Sequence, residues 1–198
     1  MPLDPQAKAL LDQMAASSAP ALNTLSPADA RKMMDQMIQL LGMKPESVFK
    51  VEDRQIPGSA GQIRVRVYTP QGSAPFPVLV FFHGGGFVLG SIELYDELCR
   101  ELTNGIGCIV VSVDYRLAPE YKFPAAVEDC YAATKWVAEN AGNIGGDPNH
   151  IAVGGDSAGG NLAAVVAIIA RDSKKLPLVF QVLMYPVTGA GYDTQSVR

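Results

Sequence analysis

Histidine is scarce in this sequence. Only His83 and His150 are present, and neither follows residue 150. Any chemistry that needs an imidazole base late in the chain therefore has no candidate within it. Cysteine is nearly as scarce: Cys99, Cys108 and Cys130 are odd in number and widely spaced. That excludes a disulfide framework and the paired spacing of a zinc site, and it predicts free buried thiols in a reducing compartment. The opening Met-Pro-Leu-Asp has neither a basic nor an apolar segment, so no secretory signal is read there. No apolar run is long enough to span a bilayer, which predicts a soluble cytoplasmic protein without a membrane partner. The net charge of −4 and the lack of a basic stripe interleaved with aromatics argue against a nucleic-acid partner. There is no internal repeat and no low-complexity segment.

The 198 residues, 48% of them hydrophobic, are enough to bury a sizeable core. One stretch organises them: Ile151-Ala-Val-Gly-Gly-Asp-Ser-Ala-Gly-Gly-Asn161. A short apolar run ends in small residues around one serine, and an apolar helical run, Leu162 to Ala170, follows. Strand, tight turn and helix in that order make Gly155-Asp-Ser-Ala-Gly159 a nucleophile elbow. The serine needs small neighbours because bulkier residues at Gly155 and Gly159 would collide with the adjoining backbone. Ser157 is then raised above the sheet, beside the unpaired N–H groups of a helix N-terminus. A chance pentapeptide in a glycine-rich loop would lack the flanking strand and helix.

Taken in order, Asp4-Pro5 reads as the N-cap and first residue of a short helix with Leu10, Leu11 and Met14 on one face. Ala16 to Leu22 is a small-residue linker. Ser26-Pro27 opens a second helix, with Asp29 completing a capping-box-like start and Gly42 ending it. Met33, Met34, Met37, Ile38 and Leu41 form its apolar face. That face either packs on the core or adapts to varied apolar ligands. Residues 1–45 are thus set apart from 46–198. Val48 to Arg54 and Gln62 to Thr69 read as an antiparallel pair joined at Pro57-Gly58, the second alternating Ile63, Val65 and Val67 with Arg64 and Arg66. Val78 to Phe82, Cys108 to Val113, the run from Ile151 and Leu178 to Met184 are continuous apolar runs, separated by helical segments over Ser91 to Asn104 and Ala125 to Asn140. This alternation predicts an α/β fold: a mostly parallel sheet with helices on both faces.

Sites in such sheets form at the carboxyl ends of the parallel strands. His83-Gly-Gly-Gly-Phe87 follows one strand and the elbow follows another. Without side chains, Gly84, Gly85 and Gly86 expose N–H groups that, with that of Ala158, can surround an oxyanion. A phosphate-binding loop would need Gly-Lys-Ser/Thr, and Phe87 breaks the dinucleotide fingerprint, so no cofactor and no metal are expected. A serine nucleophile needs a base. His83 reads as a buried residue bracing its loop, and His150 should lie at the far end of the strand, roughly 20 Å from Ser157. Asp156 reads as bracing the turn, and Asp114 as a structural hydrogen-bonding residue.

Four motifs in register now carry a resemblance. His83-Gly-Gly-Gly-Phe87, Asp114-Tyr-Arg-Leu-Ala-Pro-Glu120, Phe123-Pro-Ala-Ala126 and Gly155-Asp-Ser-Ala-Gly-Gly160 resemble the hormone-sensitive-lipase-like carboxylesterases of the α/β-hydrolase fold, chiefly their bacterial and archaeal members. The resemblance implies that the first two helices belong to a cap over the site, in which Phe87, Met33 and Met37 would line a substrate pocket. It also implies a Ser-Asp-His triad in chain order. Here the sequence departs from the family, since Asp172 and Asp193 occupy neither the family's acid position nor its context, and no histidine follows Ser157. The 198 residues are therefore read as the N-terminal portion of a longer esterase, with residues 46–198 an incomplete core that pairs with its own C-terminal remainder.

The resemblance thus predicts a serine carboxylesterase acting on short- to medium-chain acyl esters through an acyl-enzyme, with small-molecule esters as partners and a homodimer allowed. Two alternatives stand beside it: a non-catalytic ligand-binding protein on the same fold, as in the gibberellin receptors, and a short isoform serving as an interaction module.

Overall fold

The computed structural model describes residues 3–16, 20–41 and 45–189. Two helices come first, α1 (Pro5–Ala16) and α2 (Pro27–Leu41). Their starts follow the capping residues read from sequence. Asp4 Oδ1 accepts from the Gln6 N–H at 2.8 Å. Ser26 Oγ accepts from the Asp29 N–H at 3.2 Å and donates to the Asp29 carboxylate at 2.6 Å. Met33 and Met34 are half-buried. The side chains of Leu10, Met14, Met37, Ile38 and Leu41, and the stop at Gly42, lie outside the described residues.

Six strands form one sheet in the order β1-β2-β4-β3-β5-β6. They are β1 (Lys50–Pro57), β2 (Gln62–Thr69), β3 (Phe76–Phe82), β4 (Ile109–Asp114), β5 (Gly146–Asp156) and β6 (Leu178–Met184). β1 and β2 are antiparallel, as is the β2–β4 pairing, whereas β3, β4, β5 and β6 run parallel. The α/β expectation holds. Several element bounds differ from it. β1 runs to Pro57 rather than Arg54, because its ladder to β2 continues to the turn. The helix expected over Ser91 to Asn104 is α3, Asp96–Ile106, and it ends where Gly107 takes a left-handed φ of 70°.

Both faces of the central strands are buried, which is why they read as unbroken apolar runs. Val78, Val80 and Phe82 point toward α4 (Ala125–Asn140) and α5 (Ser157–Ser173), among Cys130, Val137, Leu162 and Val166. Leu79 and Phe81 point the other way, toward Cys99 of α3. β6 forms one edge of the sheet, with Val179 and Phe180 more than half exposed. All three cysteines are free and buried. Among the described residues no helix is long and apolar enough to cross a membrane, and no cluster of His, Cys, Asp and Glu is arranged to hold a metal ion.

Candidate active site

The parallel register places the chemistry-bearing segments at one edge. Phe82 pairs with Gly155 across β3 and β5 and with Val113 across β3 and β4. The chain therefore leaves all three strands at the same level, bringing His83-Gly-Gly-Gly86, Asp114 and Ser157 to one end of the sheet. Ser157 starts α5 with φ 50°, in the left-handed region that a residue bearing a Cβ enters only under constraint. Asp156 before it is still extended, at φ −110° and ψ 149°. The constraint is steric. A Cβ on Gly155 or Gly159 would overlap the Phe82 carbonyl oxygen, so β5 and α5 can meet β3 this closely only with glycine at both positions.

Asp156 fastens the elbow to the glycine loop. Its Oδ1 accepts the Gly84 N–H at 2.8 Å, and its Oδ2 accepts the Tyr95 hydroxyl at 2.9 Å. The Tyr95 oxygen in turn lies 3.0 Å from the Gly84 nitrogen. Burial, and secondarily the neighbouring Asp156 charge, push the Tyr95 hydroxyl well above its ordinary pKa, so it remains a proton donor. The Gly84 N–H is therefore engaged within the protein. Gly85 and Gly86 continue the loop with φ of 116° and 63°. Ala158 is fully buried in the first turn of α5, where backbone N–H groups have no intrahelical partner.

Neither histidine serves Ser157. His83 is fully buried and stacked on Tyr115, with ring centroids 4.3 Å apart. Its Nδ1 donates to the Gly84 carbonyl at 2.8 Å, and the Tyr115 hydroxyl donates to the His83 carbonyl at 2.6 Å. Burial holds the ring below its ordinary pKa, so it stays neutral. His150 lies near the start of β5, exposed, with Nδ1 2.7 Å from Asp147. Asp114 is half-buried at the end of β4, and burial raises its carboxyl above the usual range.

A cavity of about 410 Å³ opens between the glycine loop and α5. Gly86, Phe87, Phe123, Asn161, Leu162 and Val165 contribute to its lining, and the wall is chiefly apolar. Phe87 thus forms part of the wall of this cavity. Met33 does not line this cavity. What α2 brings to the site is Arg31, whose guanidinium donates to the carbonyls of Val88 and Ala118 at 2.7 Å each and to Glu120 at 2.9–3.0 Å. On the far side, the segment after β6 closes on the elbow. The Val187 N–H donates to the Ser157 carbonyl at 3.0 Å, and the Asn161 amide donates to the Val187 carbonyl at 2.7 Å. Tyr95, Arg31 and Asn161 carried no distinctive sequence signal. Each acts through a partner distant in the chain.

A family model described as alpha/beta hydrolase fold matches residues 79–198. Among characterised relatives, carboxylesterase NlhH of Mycobacterium tuberculosis is 45% identical over 199 residues, covering 98% of this chain and 60% of its own length. An arylesterase of Saccharolobus solfataricus is 38% identical, covering 100% of this chain and 64% of its own. A solved hyperthermophilic esterase from the archaeon Pyrobaculum calidifontis superimposes with a TM-score of 0.89 at 49% identity, over 97% of this chain and 62% of its own. Ester-hydrolase EH1AB1 from the metagenome of Lake Arreo, solved with a derivative of bipyridine phosphonate, superimposes with a TM-score of 0.92 at 43% identity, over 98% of this chain and 63% of its own. The chain therefore spans about 60% of the length of the relatives it matches.

Proposed function

Because this chain belongs to the hormone-sensitive-lipase-like carboxylesterases of the α/β-hydrolase fold, we propose that the whole protein hydrolyses carboxylic esters, with Ser157 as the nucleophile. Ser157 Oγ attacks the acyl carbonyl carbon and passes its proton to a base. The carbonyl oxygen takes up the negative charge, facing the N–H groups of Gly85, Gly86 and Ala158. Collapse of this intermediate expels the alcohol with a proton and leaves the acyl group on Oγ. Water attacks next and releases the acid. Gly84 holds the loop rather than the oxyanion, since its N–H is taken by Asp156. The cavity beside Phe87 would receive a short or medium acyl chain.

One observation carries this reading: the glycine loop and the elbow leave adjacent parallel strands in register and are tied together by Asp156. We assign the triad acid and base to residues beyond 198, and for the base the burial of His83 and the place of His150 near the start of β5 support this. The free buried cysteines support a reducing compartment such as the cytoplasm.

The test is hydrolysis of p-nitrophenyl acetate and butyrate by the whole protein and its Ser157→Ala variant. Loss of the nucleophile should lower turnover by on the order of 10⁴-fold or more. A folded Ser157→Ala protein with wild-type turnover would overturn the assignment.

A further inference from the structure

The loop that would face the oxyanion is conformationally expensive. Gly85, Gly86 and Phe87 all have positive φ, 116°, 63° and 64°, and Phe87 has no glycine's licence to do so. Such a run keeps its shape only if its surroundings hold it at both ends. The inner end is held at Gly84 by Asp156 and Tyr95. Within the loop, the N–H groups of Val88 and Leu89 turn back to the Gly85 carbonyl at 3.1 and 2.8 Å. At the outer end the Phe87 carbonyl accepts the Ala118 N–H at 2.8 Å. The next carbonyl, that of Val88, accepts Nε of Arg31 at 2.7 Å, while Nη2 of the same guanidinium reaches the Ala118 carbonyl, also at 2.7 Å.

Arg31 therefore joins two segments that already touch, and it does so from α2, 57 residues earlier than Val88. The planar fork is suited to this task, since its donors diverge at fixed angles and can satisfy two carbonyls and a carboxylate together. The carboxylate is Glu120, which is half exposed. Its carboxyl is held below the ordinary range first of all by the hydrogen bond from Arg31. An ion pair exposed to this degree contributes little on its own. The two carbonyl bonds are shorter than either contact to Glu120; one holds the backbone two residues past Gly86, and the other holds Ala118, whose N–H is bonded to the Phe87 carbonyl.

We propose that Arg31 is a positioning residue, through which the seating of α2 sets the geometry of the Gly85–Gly86 N–H groups. This inference rests on the oxyanion role assigned to those groups above. It makes α2 part of the catalytic geometry as well as a cover over it. A shift of the outer end of the loop would misalign the donors with the transition state more than with the ground-state carbonyl, so kcat should suffer and KM should not.

The experiment compares Arg31→Met, Arg31→Lys and Glu120→Gln in the whole protein. It measures kcat and KM on p-nitrophenyl butyrate, Ki for phenylboronic acid as a tetrahedral mimic, and Tm. Arg31→Met, which keeps the stem but no donors, should lower kcat on the order of 10-fold or more and weaken phenylboronic acid in parallel, with KM within about threefold. Arg31→Lys should recover part of the loss, because an ammonium cannot reproduce the fork. Glu120→Gln should keep kcat and Ki within about twofold of wild type, since the carbonyl bonds remain. Folded Arg31→Met with unchanged kcat and Ki would overturn the proposal, as would a Glu120→Gln loss equal to that of Arg31→Met. If Arg31→Met does not fold, Arg31→Lys must lose more kcat than Glu120→Gln, and equality overturns the proposal. Failure of the underlying esterase reading would appear separately, as wild-type protein without turnover or as an active Ser157→Ala variant.

Discussion

Asp156 and Gly84 are 72 residues apart in sequence, and a 2.8 Å hydrogen bond joins them across the ends of two neighbouring parallel strands. The residue before Ser157 thus fixes the first glycine of the neighbouring loop. Both carboxylate oxygens of Asp156 are engaged, one by the Gly84 N–H and one by the Tyr95 hydroxyl, and so tie the elbow to the glycine loop.

Asp156→Ala should therefore damage both stability and turnover. It leaves the Gly84 N–H without its carboxylate acceptor and the partly buried Tyr95 hydroxyl without its own, which should cost about 2–4 kcal/mol in urea unfolding. Turnover of p-nitrophenyl butyrate should fall at least in parallel. Tyr95→Phe removes the hydroxyl's bond to Asp156 and its longer contact with the Gly84 N–H but keeps the Asp156–Gly84 bond, and should cost about 1 kcal/mol. A Tyr95→Phe cost equal to that of Asp156→Ala would mean that the Gly84 bond contributes little.

Glycines that look alike in sequence should respond in opposite directions. Gly159→Ala places a methyl group on the Phe82 carbonyl, which is backbone at the centre of the sheet and cannot give way. Loss of soluble protein, or destabilisation by about 3 kcal/mol or more, is expected. Gly105→Ala sits in α3 with open space around it and should stabilise by about 0.5–1 kcal/mol. Thermal melts of the two variants check the contrast.

His83 makes stability depend on pH in a defined direction. Burial lowers its folded-state pKa below the ordinary 6.5, while the Gly84 carbonyl and the Asp156 charge oppose this in part. The unfolded chain therefore binds the proton first. Stability from this group is fully present above about pH 6.5 and declines as pH falls from there to the folded pKa, by at most about 1.4 kcal/mol per pH unit. Urea unfolding at pH 7.5, 6.5 and 5.5 should show the decline, and His83→Gln should flatten it over that window. An equal slope in both proteins would assign the dependence to other groups.

Met33 provides a test of α2 as a wall of the substrate site. It is half-buried on the same helix as Arg31 but does not line the cavity beside Phe87. Met33→Ser should shift the preference among p-nitrophenyl acetate, butyrate and octanoate by several-fold if the helix meets the acyl chain. Unchanged ratios with a lower Tm would mean that Met33 only packs.

The order of elements, the buried strands and the elbow were legible in the sequence because each rests on local chemistry. Unbroken apolar runs specify strands covered on both sides, Asp4 and Ser26 specify helix starts, and glycines flanking a serine between strand and helix specify a tight turn. Even the bracing role of Asp156 follows from its position beside Ser157. Its partners do not, because Tyr95 and Gly84 become its neighbours only when β3 and β5 pair.

The sequence by itself thus determined the fold class, the tight turn at Ser157 and the position of the glycine loop after β3, all of which depend on residues within a few positions of one another. The tertiary structure alone decided that the Gly84 N–H is taken by Asp156, and that the ring of His83, read as buried from its place before the loop, stacks on Tyr115. It alone decided that α2 meets the loop through Arg31. Those outcomes depend on strand register and on donors reaching carbonyls tens of residues away, and no periodicity or spacing along a chain encodes such distances.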